Sequence, residues 1–158
     1  MLTIELCDRQ QALAFDAARL KSAVASVLGD AGYDEGAISI AIVDDDEIHE
    51  LNRRYLSHDY ATDVLSFVLE QEAGRIEGEI IASADTAARC AGEFGWAAED
   101  ELLLYVVHGA LHLAGHDDAD DTPRAAMREA ERRYLAGFGV APPADEAAPE
   151  RRAGSADS

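Results

Sequence analysis

Between His108 and Asp120 the chain reads HGALHLAGHDDAD, which puts three of its five histidines within nine residues. His108 and His112 are four apart. On a helix that spacing stacks two side chains on one face, with Cβ atoms roughly 5–6 Å apart, so both imidazoles can address one ion. Gly115 lets the chain turn left-handed after the helix and come back toward that face. His116, Asp117 and Asp118 are then the candidates for a third ligand. Two imidazoles, one more N or O donor and an open position for water form the pattern of catalytic zinc. Two histidines on so apolar a helix are also costly to bury without partners. Asp117, Asp120 and Asp121 otherwise read as a solvated turn or a helix cap.

The residue after the first histidine is Gly109. Zinc peptidases of the HExxH type carry Glu there as the base that activates water. Glycine cannot take a proton, so that chemistry is disfavoured. The spacing of His108, His112, Gly115 and position 118 does follow the longer HxxxHxxGxx layout of metzincin sites.

The elements that position this cluster are legible from periodicity. AEDELLLYVVHGALHLAG (98–115) predicts a helix that is apolar nearly all round and therefore central and buried. Its first turn carries Glu99, Asp100 and Glu101, which suit the positive end of the helix dipole. Residues 10–28 place Leu13, Ala17, Leu20, Val24 and Val27 on one helical stripe, ended by Gly29 and Gly32. AISIAIVDD (37–45) alternates as a strand. Asp44 or Asp45 then caps a helix whose buried stripe is Ile48, Leu51 and Tyr55. TDVLSFVLE (62–70) predicts a strand buried on both faces, and after a turn at Gly74, EGEIIASA (77–84) predicts another. An Ala-rich helix spans 85–94. Thr122 and Pro123 read as the cap and first position of a last helix running to about Leu135. Arg124, Arg128 and Arg132 form a stripe on it, and with Glu129 and Glu131 beside them they read as ion pairs on a solvated face. The order is helix, strand, helix, strand, strand, helix, helix, helix, an α+β or α/β layer with few strands and a buried helix packed on the sheet; of the two, α+β is the expected class.

At 158 residues the chain suits one domain and one core, expected over residues 1–140. Residues 141–158 have almost no core-forming side chains and are expected to be disordered. No apolar run of about 18 residues spans a bilayer, and the N-terminus lacks the pattern of a signal peptide. Cys7 and Cys90 form neither a disulfide framework nor a CxxC site, so a reducing cytoplasm is expected. A net charge of -19 argues against a surface that coats nucleic acid generally, while leaving room for a local basic patch.

HGALHLAGHDD resembles the HGxLHLxGYDH signature of the YbeY proteins, bacterial endoribonucleases also called rRNA maturation factors. LNRRYLSHDYATDVLSF (51–67) is similar to that family's second block, LNxxYR…TDVLSF, and GEIIAS to its GDIxI strand. The resemblance runs from about residue 37 to 135. It implies a small mixed β-sheet packed with helices, and cleavage of single-stranded RNA in 16S rRNA 3′-end maturation and ribosome quality control. It also implies one zinc per chain, and as partners an rRNA precursor and small-subunit components, with neither membrane nor DNA. By the same resemblance His108 and His112 are the first two ligands. The third falls on Asp118, where the family has His, and the usual Tyr falls on His116. Spacing favours Asp118, because His116 lies only one residue past the turn. The family's phosphate-contacting Arg is Leu56 here, which leaves Arg53, Arg54 or His58 to substitute. Arg54, Thr62, Asp63 and Ser66 are the expected substrate-binding residues. Thr62, Asp63 and Ser66 also have a purely local reading as strand caps. Two rival functions are a non-catalytic, metal-containing ribosome-assembly factor and a zinc metallopeptidase.

Overall fold

The computed structural model describes residues 1–57, 62–116 and 121–142. In chain order it contains β1 (Leu2–Asp8), α1 (Ala17–Asp30), β2 (Glu35–Val43), α2 (Asp45–Leu56), β3 (Val64–Glu72), β4 (Arg75–Ser83), α3 (Ala84–Phe94), α4 (Ala98–Leu113) and α5 (Asp121–Ala136). The sheet order is β1-β2-β4-β3. The first three run parallel and β3 pairs antiparallel with β4, so the fold is α+β with a small mixed sheet, as expected.

Residues alternate between the two faces of a strand, and here each face meets a different set of helices. Ile38, Ile40, Ile42, Val64, Ile80 and Ala82 join the main core with residues of α1 and α4. Ala41, Val43, Leu65 and Ile81 point the other way and form a smaller cluster with Ile48 of α2. Helix α4 lies on the main-core face, and every residue from Leu102 to Leu111 on it is buried. Its one buried acid, Glu101, accepts the indole N–H of Trp96 at 2.6 Å. Tyr105 is fully buried, and burial first, with the Glu101 carboxylate adding to it, pushes its phenol far above the ordinary range. It stays protonated throughout the working pH range.

Three expectations need correction. The first element is a strand, not a helix. Leu2, Ile4 and Leu6 alternate inward and pack on the core, a two-residue period at an edge strand that was passed over. Helix α1 begins at Ala17 rather than near residue 10, because the Asp16 carboxylate caps the amides of Ala18 and Arg19. Upstream, the Gln10 side chain bonds both the amide and the carbonyl of Leu13 and holds a non-helical link. Leu13 still packs on the core from that link, which is why it looked like part of the helical stripe. The third correction concerns the second sheet face. Helix α2 covers only part of it, so β3 is buried at Val64–Ser66 but leaves Val68 and Leu69 exposed beside a register shift between Val68 and Glu70. Tyr55, expected in the buried stripe, is 61% exposed and leans edge-on against Phe67.

Among the described residues no helix is long and apolar enough to cross a membrane. Of the expected C-terminal tail, residues 143–158 lie outside the described residues.

Candidate metal centre and active site

Helix α4 carries the histidine pair at its C-terminal end. His108 is fully buried and His112 half-buried. Their Nε2 atoms face each other at 3.1 Å, with the rings at 76°. Two nitrogens bound to one tetrahedral zinc at about 2.0–2.1 Å stand roughly 3.3–3.4 Å apart. The separation is close to that of two ligands on one ion, and is also that of a hydrogen bond between the two rings. On the far side of its ring, His108 Nδ1 meets Glu131 Oε2 of α5 at 2.6 Å. A neutral His108 that donates from Nδ1 presents a lone pair at Nε2, toward His112.

The helix ends in a Schellman motif. The amide of His116 donates to Leu111 O at 2.9 Å, the amide of Gly115 donates to His112 O at 3.0 Å, and Gly115 has φ +103°. The chain thus leaves α4 through the left-handed turn that its glycine predicts. Asp117, Asp118 and Asp120, which follow, lie outside the described residues. Among the described residues no group of three metal-ligating side chains is assembled. His116 lines a cavity of about 160 Å³ with Val27, Asp30, Arg133 and Tyr134, on the side where α5 faces α1.

Gly109 has a reason that the sequence did not supply. A Cβ built there would stand 2.9 Å from Ile80 Cγ2 and 3.3 Å from Val64 Cγ2. The glycine lets α4 approach the sheet closely. A peptidase-type glutamate at this position would collide with β4.

Glu131 does not belong to the solvated, ion-paired face that the sequence suggests. It is 5% exposed and lies on the buried stripe of α5 with Met127, Ala130 and Leu135. Those apolar neighbours at spacings of three and four were the signal that could have placed it.

The sequence matches the family described as Endoribonuclease YbeY over residues 5–139. The chain belongs to the YbeY endoribonuclease family. The YbeY endoribonuclease of Rhodopirellula baltica is 44% identical over 143 residues, covering 86% of this chain and 74% of its own. That of Salinibacter ruber is 41% identical over 128 residues, covering 76% and 82%. The solution structure of TM1509 from Thermotoga maritima is similar with a TM-score of 0.58 and 28% identity, covering 97% of this chain and 93% of that one.

The second YbeY block divides between the two sheet faces. Thr62, Asp63 and Ser66 are all buried where β3 begins, and α4 packs on β3 and β4. Asp63 accepts the amide of Val64 at 2.8 Å, and the carbonyl of Asp63 accepts the amide of Ser83 at 3.0 Å. Arg54 lies on α2, across the sheet from α4. It is exposed, pairs with Glu50 at 3.2 Å and sits over the Tyr55 ring. Arg53 shares the same carboxylate at 2.6 Å. Leu56, in place of the YbeY arginine, is the last residue of α2 and packs against the small cluster. His58 lies outside the described residues.

Proposed function

We propose that this protein is a single-strand-specific, metal-dependent endoribonuclease that matures 16S rRNA 3′ ends and acts in ribosome quality control in the cytoplasm. The observation that carries the metal dependence is the 3.1 Å approach of the two Nε2 atoms on α4. His108, His112 and Asp118 would hold one zinc per chain. The placement of His116 in the cavity toward α1 supports Asp118 over His116 as third ligand. A zinc ion bound there would supply Lewis acidity to the scissile phosphodiester. The chain's own part is to orient the imidazoles, to keep the site half-dry against the main core, and to bind RNA through Arg54, Thr62, Asp63 and Ser66.

The proposed partners are rRNA precursors and proteins of the small ribosomal subunit. The acidic chain suits a basic protein partner better than an extended RNA contact. On the uncovered sheet face a groove of about 420 Å³ runs past Tyr55, Phe67, Leu69 and Glu79, and an adjoining hollow adds Glu5 and Glu77.

Incubating the zinc-loaded protein with a single-stranded fragment of the 16S precursor should yield internal cleavage, and duplex RNA should resist it. Intact single-stranded RNA at full metal loading would overturn the proposal. The peptidase alternative is disfavoured by the packing at Gly109, and a casein assay should be blank.

A further inference from the structure

We infer that Glu131 is a positioning residue for the metal centre: it holds the His108 ring by Nδ1 so that Nε2 stays aimed at the site. The inference rests on the reading of His108 as a ligand.

The argument starts from cost. A carboxylate almost wholly removed from water is unfavourable unless hydrogen bonds and charge partners replace the lost hydration. Glu131 occupies such a place on the stripe of α5 that otherwise carries Met127, Ala130 and Leu135. A leucine there would pack without that penalty. The Glu131–Nδ1 separation of 2.6 Å is that of a short, charge-assisted hydrogen bond.

Geometry says what that bond does. The two ring nitrogens lie on opposite sides of the imidazole, so fixing Nδ1 on α5 decides that Nε2 faces His112. An imidazole ring is otherwise free to turn about its terminal torsion, which has broad, roughly two-fold preferences. The carboxylate also selects the tautomer with the proton on Nδ1, which leaves Nε2 as a lone-pair donor. The pair is built on two helices, one supplying ligands and the other their orientation.

A purely structural role would join α4 to α5 and nothing more. The two roles separate by experiment. Zinc affinity of Glu131→Gln and Glu131→Ala should be measured by competition with a chromophoric chelator at one fixed pH, with Glu129→Gln on the exposed side of α5 as control. Loss of an outer partner costs about 10–100-fold in metal affinity. Glu131→Gln, which keeps an acceptor but not the charge, should fall near the lower figure and Glu131→Ala near the upper. In metal-free protein, the ¹⁵N shifts of His108 should report a proton on Nδ1 in the wild type and a mixture of tautomers in Glu131→Ala. If Glu131→Ala does not fold, Glu131→Gln alone decides. Unchanged zinc affinity in the folded variants, or an Nε2 proton on His108 in the wild type, overturns the inference. A wild-type protein that binds no zinc overturns the ligand reading instead.

Discussion

Two polar clusters sit at element ends in this molecule, and they are built in opposite ways. At the start of α2, Asp45 accepts from Ser83 Oγ at 2.6 Å, from Thr86 Oγ1 at 2.6 Å and from Arg89 at 3.0 Å. Its own amide donates to Asp85 at 2.9 Å. Each group there is answered by a neighbour, and the product is a joint between the ends of β2 and β4 and the starts of α2 and α3. At the end of α4 the contacts run through two imidazoles and one carboxylate. Glu131 takes one nitrogen of His108, and the other is turned toward a second imidazole. The two Nε2 atoms stand 3.1 Å apart, the approach on which the proposed metal site rests. The first cluster joins elements of the fold; the second is the one proposed above to hold an ion.

The contrast breaks most visibly at the ligands. His112→Ala should abolish stoichiometric zinc binding and lower RNA cleavage by more than about 100-fold, beyond what losing an outer partner costs. Metal analysis and a gel assay would check both. Its thermal stability without metal should change little, because His112 is half-exposed at a helix end. Asp45→Ala should do the reverse. Zinc stoichiometry should be unchanged while denaturant titration shows a loss of about 1.5–3 kcal/mol, the usual scale for hydrogen bonds to a charged group. A drop in zinc binding in Asp45→Ala would show that the joint reaches the site.

Gly109→Ala tests the platform under the histidines. The new methyl must displace Ile80, and overpacking of this kind costs about 1–3 kcal/mol. Chemical denaturation should show the loss, and a neutral result would mean that α4 can lift from the sheet.

Acid should also distinguish the clusters. Burial tends to raise the Asp45 carboxyl, but bonds from Ser83, Thr86 and Arg89 outweigh it and hold it below the usual carboxylate range. A group depressed in the folded state stabilises above its unfolded value and loses that contribution as pH falls through the folded one. Between neutral pH and about pH 3, Asp45→Asn should therefore lose less stability than the wild type. Equal losses, read from urea midpoints along the pH series, would remove Asp45 from the account.

The smallest expected effect is a gain. Leu56→Arg restores a cation where the YbeY pattern has one. If it reaches phosphate, the salt dependence of single-stranded RNA binding should steepen by about 0.7 in log–log slope. An unchanged slope would mean that RNA does not pass the end of α2.

The site was more legible than its surroundings. Residues 98–115 carry helical apolarity, an acidic first turn and a terminal glycine that all agree, so α4 and its Schellman turn followed from local chemistry. The YbeY motif then supplied the family. β1 was missed because seven residues with a two-residue period precede a link whose Leu13 imitates a helical stripe. The exposure of Tyr55 and Leu69 depends on how far α2 extends over the sheet, which no local pattern encodes. Glu131 was hidden for a related reason. An acid among arginines looks solvated until the neighbouring helix is in place to supply an imidazole.

Gly109 has a bearing on ancestry. A single nucleotide separates a glycine codon from a glutamate codon, and that change would write the peptidase motif into this helix. The new Cβ would already stand 2.9 Å from Ile80 Cγ2. The route from this nuclease scaffold to a peptidase therefore carries a packing cost against Ile80 unless the sheet changes first. Packing, as much as selection for activity, keeps the two chemistries apart.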